Sequence, residues 1–117
     1  MVSHGYVLPT RGIAIQSDSP LSLSSNTATL LTLAPHAESL NFSSLWVGDS
    51  ILTRHRLEPL TTLASIAALT KKVQIGTAIY LLHLRHPVHV AHATATLDQL
   101  SNGRFIFGIG VGTSHES

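Results

Sequence analysis

A chain of 117 residues with 44% apolar side chains is long enough for one domain with a buried core. Seven Lys and Arg nearly balance six Asp and Glu, and there is no basic cluster, which argues against nucleic-acid binding. Cysteine is absent, so disulfides and thiol chemistry are excluded. No apolar run approaches the ~18 residues of a membrane span and no secretory signal opens the chain, so we expect a cytoplasmic protein.

The first part of the chain contains one strand pattern and one helix pattern. A short apolar run at residues 5–8 predicts a strand, and the composition of residues 17–27 predicts a loop. Asn26 or Thr27 would then cap a helix that Pro35 should kink or split, because proline lacks the N–H donor, at a cost of ~3 kcal/mol. The apolar positions of this helix recur at i, i+3, i+4 and i+7 and are Leu30, Leu33, Ala34 and Ala37.

Three further strands alternate with two helices. Residues 45–47, 73–79 and 105–111 are apolar runs that predict strands, and Pro59 and Pro87 suit the first turns of helices. The apolar faces of the two helices are Leu60, Leu63, Ala64, Ala67 and Ala68 in one, and Val90, Ala93, Leu97 and Leu100 in the other. Strands that are apolar on both faces and separated by helices predict an α/β fold with about four parallel strands and three helices.

This alternation fits either an open doubly wound sheet or a barrel. A dinucleotide-binding open sheet would carry its phosphate-binding glycines directly after the first strand. Here the glycine-dense run occupies residues 108–112, at the far end of the pattern, and its spacing differs from the dinucleotide fingerprint. The sequence therefore favours the barrel.

Three segments together resemble the bacterial luciferase-like family. They are residues 44–49 (SLWVGD), residues 75–79 (IGTAI) followed by residues 85–88 (RHPV), and residues 96–105 (TLDQLSNGRF) leading into residues 108–112 (GIGVG). The resemblance is strongest over residues 42–112, and it implies that residues 1–117 form the N-terminal half of a TIM (β/α)8 barrel. It also implies a flavin-dependent monooxygenase or oxidoreductase of an organic substrate, with FMN favoured over a deazaflavin coenzyme.

The resemblance puts the cofactor site at the C-terminal ends of the strands, where TIM barrels carry their chemistry. The candidate cofactor-binding residues at these ends are Asp49, Ser50, Thr77, Ala78, Ile79, Gly110, Val111 and Gly112. The resemblance further implies a bulge with a non-prolyl cis peptide at Ala78–Ile79, which would support the flavin ring. The alternative interpretation of this stretch is a buried strand whose small residues allow helix packing.

Several candidate residues have a second interpretation. Asp49 would hydrogen-bond the cofactor or substrate, or it would cap the next loop. The glycines of residues 108–112 would let the backbone approach a ring or phosphate, or they would pack tightly inside the barrel. Ser50 stands where many members of the family have histidine, and a hydroxyl cannot shuttle protons near neutral pH, so no catalytic residue is assigned.

Eight histidines are the unusual feature of the composition. His83, His86, His89 and His92 follow at three-residue steps, which on a helix turn them away from a common face. No carboxylate or cysteine nearby completes a metal site, so we expect a solvated helix face and no metal. The resemblance puts His86 at the start of the third helix, where it would cap the helix or face the active-site loop.

The length of the chain supports a rival of a different class. A full TIM barrel takes ~250 residues, so the alternative to an active enzyme is a truncated, inactive half-barrel or an accessory subunit. Phe105, Phe107 and Ile109 would then face an interior that lacks its opposite wall. The unpaired edge strands would favour self-association or pairing with a C-terminal half.

Overall fold

The computed structural model describes residues 2–11, 20–52 and 56–112. The elements in chain order are β1 (Gly5–Val7), α1 (Pro20–Ser39), β2 (Ser44–Val47), α2 (Pro59–Leu69), β3 (Gln74–Thr77), β4 (Tyr80–Leu81), a 3-10 turn (Leu82–Leu84), α3 (Pro87–Leu100), β5 (Phe105–Ile106) and β6 (Ile109–Gly110).

Strands β1, β2, β3 and β5 form one parallel sheet in that order. In the middle row of its register Tyr6 pairs with Leu45, Leu45 with Ile75, and Ile75 with Phe105. Strands β4 and β6 form a second, two-stranded parallel sheet. Parallel strands whose spatial order follows the chain order are the arrangement of a (β/α)8 barrel. The predicted α/β fold, a partial TIM barrel with four parallel strands and three helices, is confirmed.

The strands predicted at residues 73–79 and 105–111 are both interrupted. The first ends at Thr77, and β4 follows beyond the predicted end, whereas the second is divided into β5 and β6. The breaks therefore lie at Ala78–Ile79 and between β5 and β6. The two breaks are joined, because the Thr77 hydroxyl donates to the Gly108 carbonyl at 2.8 Å and accepts from the Gly108 N–H at 3.0 Å. The apolar pattern continues across both breaks, so the sequence alone predicted uninterrupted strands.

Helix α1 begins earlier than the sequence predicts. It starts at Pro20, so the predicted loop is wrong from that residue onward, and so are the predicted caps at Asn26 or Thr27. The rest of that loop, residues 17–19, lies outside the described residues. Proline suits a first helical turn because its missing N–H would have no intrahelical acceptor there. The serine-rich composition after Pro20 concealed this start signal.

Helix α1 also continues through Pro35 as one helix, so the predicted split is wrong. Leu30, Ala34 and Ala37 lie on either side of the proline, and all three are buried in the core. Burial of a leucine such as Leu30 contributes about 1.5–3 kcal/mol, which is comparable with the ~3 kcal/mol cost of a proline inside a helix.

Helices α2 and α3 begin where the sequence predicts, with Pro59 and Pro87 in their first turns. The Glu58 carboxylate caps α2 by accepting from the N–H groups of the first turn. His86 caps α3, since its Nδ1 accepts the Val88 N–H at 3.2 Å, which confirms one of its two predicted roles. No helix in the described part of the chain is long and apolar enough to span a membrane.

The core lies between the sheet and the helices. Helix α1 packs against α2, and α2 packs against α3 and β3, as right-handed crossovers on one face of the sheet require. The large side chains that are fully buried in this layer are Leu8, Leu30, Leu45, Val47, Leu63, Ile66, Ile75 and Leu97.

Two charged side chains tie the helices to the sheet. The Glu38 carboxylate, near the end of α1, accepts from the N–H groups of Lys71, Lys72 and Val73 at 2.7–3.1 Å. Arg104, just before β5, donates to the carbonyls of Ala67, Thr70, Val73 and Ser101 and to the Thr70 hydroxyl. Both therefore hold the turn that connects α2 to β3.

The opposite face of the sheet carries the Trp46 indole. A Cβ on Gly5 would lie 2.9 Å from one end of the ring, and a Cβ on Gly76 would lie 2.5 Å from the other end. The indole therefore lies across both neighbouring strands. Val7 and Ile106 share its register row and are 61% and 36% exposed. This face would line the interior of a closed barrel.

Phe105 and Phe107 do not line that interior, so this prediction is wrong. Both pack against the core, and the Phe107 ring lies 5.2 Å from the buried Tyr80 ring. Phe105 stands beside Ile75 in the row that faces the helices. A strand that is apolar on both faces does not show which of its residues point to the helices, so the sequence could not fix the facing of Phe105 and Phe107. Ile109, beyond the break, is 55% exposed.

Candidate functional site

The candidate site is a ledge formed by Ala78 and Ile79 at the end of β3. A cis peptide joins the two residues, which confirms the bulge implied by the resemblance. Both are exposed, Ile79 to 38%. The ledge is anchored on either side, because the Ala78 N–H donates to the Val47 carbonyl and the Tyr80 N–H donates to the Gly108 carbonyl, each at 2.8 Å. It therefore presents a small apolar surface on a fixed backbone.

Gly108 and Gly110 let the chain pack closely beneath this ledge. A Cβ on Gly110 would lie 2.2 Å from Cδ1 of Ile79, and a Cβ on Gly108 would lie 2.2 Å from the Thr77 carbonyl oxygen. Both contacts are within the chain itself, so they support the tight-packing interpretation of these two glycines. Any larger residue at position 110 would displace the Ile79 side chain.

Thr77 lies behind the ledge and presents no side chain at the surface. The residue is 1% exposed, and its hydroxyl is engaged with both backbone groups of Gly108. Its role in the described structure is to fasten the end of β3 to the segment between β5 and β6.

Asp49, at the end of β2, also points inward, and its side chain is only 1% exposed. The carboxylate pairs with both terminal nitrogens of Arg85, with Oδ1 2.9 Å from Nη2, and Oδ2 accepts the Leu81 N–H at 2.8 Å. The backbone N–H that Asp49 holds belongs to Leu81 in β4 and not to the loop after β2, so this contact is not the predicted loop cap. The predicted contact of Asp49 with cofactor or substrate stays a prediction. The hydrogen bond to Asp49 raises the pKa of Arg85.

Arg85 is the residue of this site that the sequence analysis did not identify as functional. Its side chain is 17% exposed, donates to the Leu81 carbonyl at 3.1 Å, and lies 4.3 Å from the centre of the Tyr80 ring. Burial raises the pKa of Tyr80, so its phenol stays neutral beside the guanidinium. The sequence did contain a signal for this pair. Asp49 and Arg85 lie in two of the segments that resemble the family, and each follows a strand.

The remaining candidates, Ser50, Val111 and Gly112, differ in their exposure. Ser50 is half-buried beside Asp49, whereas Val111 is 72% exposed and Gly112 is exposed with a φ of 76°. The structure thus brings Ala78, Ile79 and Gly110 together at one surface. It places Asp49 and Thr77 behind that surface as supports.

Within residues 2–11, 20–52 and 56–112, no group of three or more His, Asp or Glu side chains is arranged to hold a metal. The rings of His86 and His89 are 5.5 Å apart and meet edge to face. His89 and His92 are exposed along α3.

A parallel sheet in chain order, with a bulged ledge at the C-terminal ends of its strands, is a partial TIM-barrel fold. Residues 3–116 match the luciferase-like monooxygenase family. The chain belongs to this family, which confirms the resemblance carried by the three segments.

Among the relatives, one is named as an F420-dependent dehydrogenase and another as an alkanal monooxygenase. The chain is 38% identical over 89 residues to an F420-dependent glucose-6-phosphate dehydrogenase of Amycolatopsis mediterranei, covering 71% of this chain and 27% of that protein. It is 37% identical over 82 residues to the alkanal monooxygenase alpha chain of the Kryptophanaron alfredi symbiont, covering 68% of this chain and 23% of that one. The chain thus spans about a quarter of the length of these relatives.

Solved structures give the same picture of the fold. The oxygenating constituent of 3,6-diketocamphane monooxygenase from Pseudomonas putida, in complex with FMN, superposes with a TM-score of 0.81 at 22% identity, covering 97% of this chain and 30% of that one. The coenzyme F420 dependent tetrahydromethanopterin reductase of Methanopyrus kandleri has a TM-score of 0.73 at 29% identity, covering 96% and 28%.

Proposed function

We propose that this chain carries the flavin-ring support of a flavin-dependent oxidoreductase of the monooxygenase class. The observation that carries the proposal is the exposed ledge of Ala78 and Ile79, which ends a parallel strand on the face where TIM barrels bind ligands. The family and the names of the relatives support the same class of cofactor.

The residues at the ledge fit a planar ring. Ile79 offers a half-exposed apolar side chain that rests on Gly110, and Val111, the residue after Gly110, is an exposed apolar side chain. Such a surface would hold one face of an aromatic ring system by dispersion and by exclusion of water. Ala78, Ile79 and Val111 are therefore the residues we propose to contact the ring, with Gly112 and Ser50 at its margin.

The identity of the ring system is the finer part of the proposal. FMN remains our first choice and a deazaflavin coenzyme the alternative, since relatives named for each are found. When bound, either cofactor supplies hydride chemistry, and a flavin also supplies reaction with oxygen. The contribution of this chain is to orient the ring and shield one face of it from water.

We further propose that the chain by itself binds a flavin weakly and does not turn over. TIM barrels commonly hold the cofactor phosphate after their seventh and eighth strands. The described sheet has four strands, which we take, from the resemblance, to be the first four. Ser50 offers no group that shuttles protons near neutral pH. The rival interpretation, an inactive half-barrel or accessory subunit, predicts the same absence of turnover but requires no ring binding.

Ring binding is tested by titrating lumiflavin, which has the flavin ring but no phosphate, into the purified chain while flavin fluorescence is recorded. We expect weak saturable binding by the wild-type chain and about tenfold weaker binding by Ile79→Ser, since an apolar contact of about 1.4 kcal/mol is lost. Leu100→Ser is the matched control, because Leu100 is also an exposed apolar residue, 61% exposed, but lies at the far end of α3.

Two results would contradict the proposal. One is the absence of saturable lumiflavin binding by the wild-type chain. The other is equal weakening of lumiflavin binding by Ile79→Ser and Leu100→Ser, which would mean that the ring does not contact the ledge.

A further inference from the structure

We infer that Asp49 is a positioning residue, which sets the ledge for ring binding by acting through Leu81 and Arg85. The inference rests on the proposed function, because it concerns what the ledge binds. It assigns to Asp49 no contact with cofactor or substrate.

The Asp49 carboxylate is committed to the chain itself. Its side chain is 1% exposed, and three donors approach it: both terminal nitrogens of Arg85 and the Leu81 N–H. A carboxylate with this burial has no free face for a ligand. Charge-assisted hydrogen bonds of this kind are about twice as strong as neutral ones, so the carboxylate is a firm anchor.

The anchored residues immediately follow the ledge. Leu81 lies two residues beyond Ile79, and Arg85 returns to the same residue by donating to the Leu81 carbonyl at 3.1 Å. Asp49 therefore holds the Leu81 N–H directly and the Leu81 carbonyl through Arg85. The end of β2 is thereby tied to β4 at the point where the chain leaves the ledge.

This anchor complements the two that flank the ledge. The Ala78 N–H and the Tyr80 N–H are held by the carbonyls of Val47 and Gly108, and Ile79 stands between them. Arg85 also lies against the Tyr80 ring, with its guanidinium carbon 4.3 Å from the ring centre. Loss of the Asp49 charge would thus weaken the contacts that hold both Tyr80 and Leu81. As a result, the orientation of Ile79 would be less fixed.

The test uses the full chain with Asp49→Asn, which keeps the size of the side chain but removes the charge. We expect lumiflavin to bind at least about tenfold more weakly, equivalent to ~1.4 kcal/mol. We also expect amide hydrogen exchange at Leu81, measured by NMR relative to exchange at Ile75 in β3, to become about tenfold faster. Asp49→Glu keeps the charge and should restore part of both properties.

The control variant is Arg104→Met, which destabilises the chain from the helical side and leaves the ledge intact. It should lower the midpoint of urea unfolding without changing lumiflavin affinity or the exchange ratio. If Asp49→Asn does not fold, Arg85→Lys provides the second variant, since it keeps the charge but removes the two-pronged pairing, and it should change both readouts in the same direction.

The inference is overturned if Asp49→Asn behaves like Arg104→Met, with a lower unfolding midpoint but unchanged affinity and exchange ratio. A wild-type chain that does not bind lumiflavin would overturn the proposed function instead. In that case the exchange ratio alone decides whether Asp49 fixes the segment after the ledge.

Discussion

At the scale of single residues, four charged side chains in the described part of the chain hold backbone segments together. Glu38 accepts from three backbone N–H groups, and Arg104 donates to four backbone carbonyls. Asp49 and Arg85 pair with each other, and they hold the N–H and the carbonyl of Leu81, respectively. The sequence predicted that Asp49 matters but did not identify its partner, because the pairing spans 36 positions. Sequence patterns indicate which residues are neighbours within one helix or strand. They do not show which residues of different elements are in contact.

Glu38 should make the stability of the chain depend on pH. Burial raises its pKa, but the N–H groups of Val73, Lys72 and Lys71 outweigh that effect and hold the pKa below its ordinary value of 4.5. A lowered folded-state pKa gives stability that is present above the unfolded pKa and lost as the pH falls through the folded pKa. Glu38→Gln should therefore be destabilised by roughly 1–2 kcal/mol at pH 7, and the difference from wild type should shrink below about pH 4.5.

Urea unfolding of both proteins at neutral and acidic pH measures this difference. Asp98→Asn serves as the control, since it removes an exposed carboxylate from α3 and should cost little at either pH. A Glu38→Gln deficit of the same size at neutral pH and at pH 3 would show that the charge of Glu38 is not what stabilises the turn.

At the scale of elements, the sequence predicted the positions of the strands and the starts of α2 and α3, because proline at a helix start and continuous apolar runs are local signals. It missed the start of α1, where serine-rich composition obscured Pro20, and the breaks that interrupt two predicted strands. The break at Ala78–Ile79 came from the resemblance alone. Its partner break was not predicted, because the Thr77–Gly108 pairing joins residues 31 positions apart.

Arg104 should be a large contributor to the stability of the α2–β3 connection. Arg104→Met keeps the apolar stem of the side chain but leaves the carbonyls of Ala67 and Thr70 without this donor. We expect the free energy of unfolding to fall by about 2–4 kcal/mol, the cost of leaving buried polar groups unpaired. Urea unfolding at pH 7 measures the loss.

Arg104→Lys separates charge from geometry in the same experiment. A lysine donates from a single nitrogen, whereas the guanidinium donates from several nitrogens in one plane. We therefore expect the free energy of unfolding of Arg104→Lys to lie between those of wild type and Arg104→Met. If Arg104→Met unfolds within about 0.5 kcal/mol of wild type, as ordinary surface substitutions do, the guanidinium does not hold this turn.

At the scale of the whole molecule, the chain forms a partial barrel with one well-packed layer and one open face. Strand β1 lies at the edge of the four-stranded sheet, and Val7 and Ile106 are exposed on the face that carries Trp46. Edge strands with exposed apolar neighbours favour association, and barrel closure removes such edges. We therefore expect the isolated chain to pair with a second copy or with a C-terminal half.

We propose that this chain provides the ledge for a flavin ring but not a complete flavin site. Size-exclusion chromatography in buffer containing micromolar FMN, with light scattering for mass and absorbance for flavin, tests that claim most directly. We expect a particle at least twice the 12.5 kDa mass of the chain, with no FMN co-eluting. A monodisperse monomer that carries one FMN through the column would contradict it.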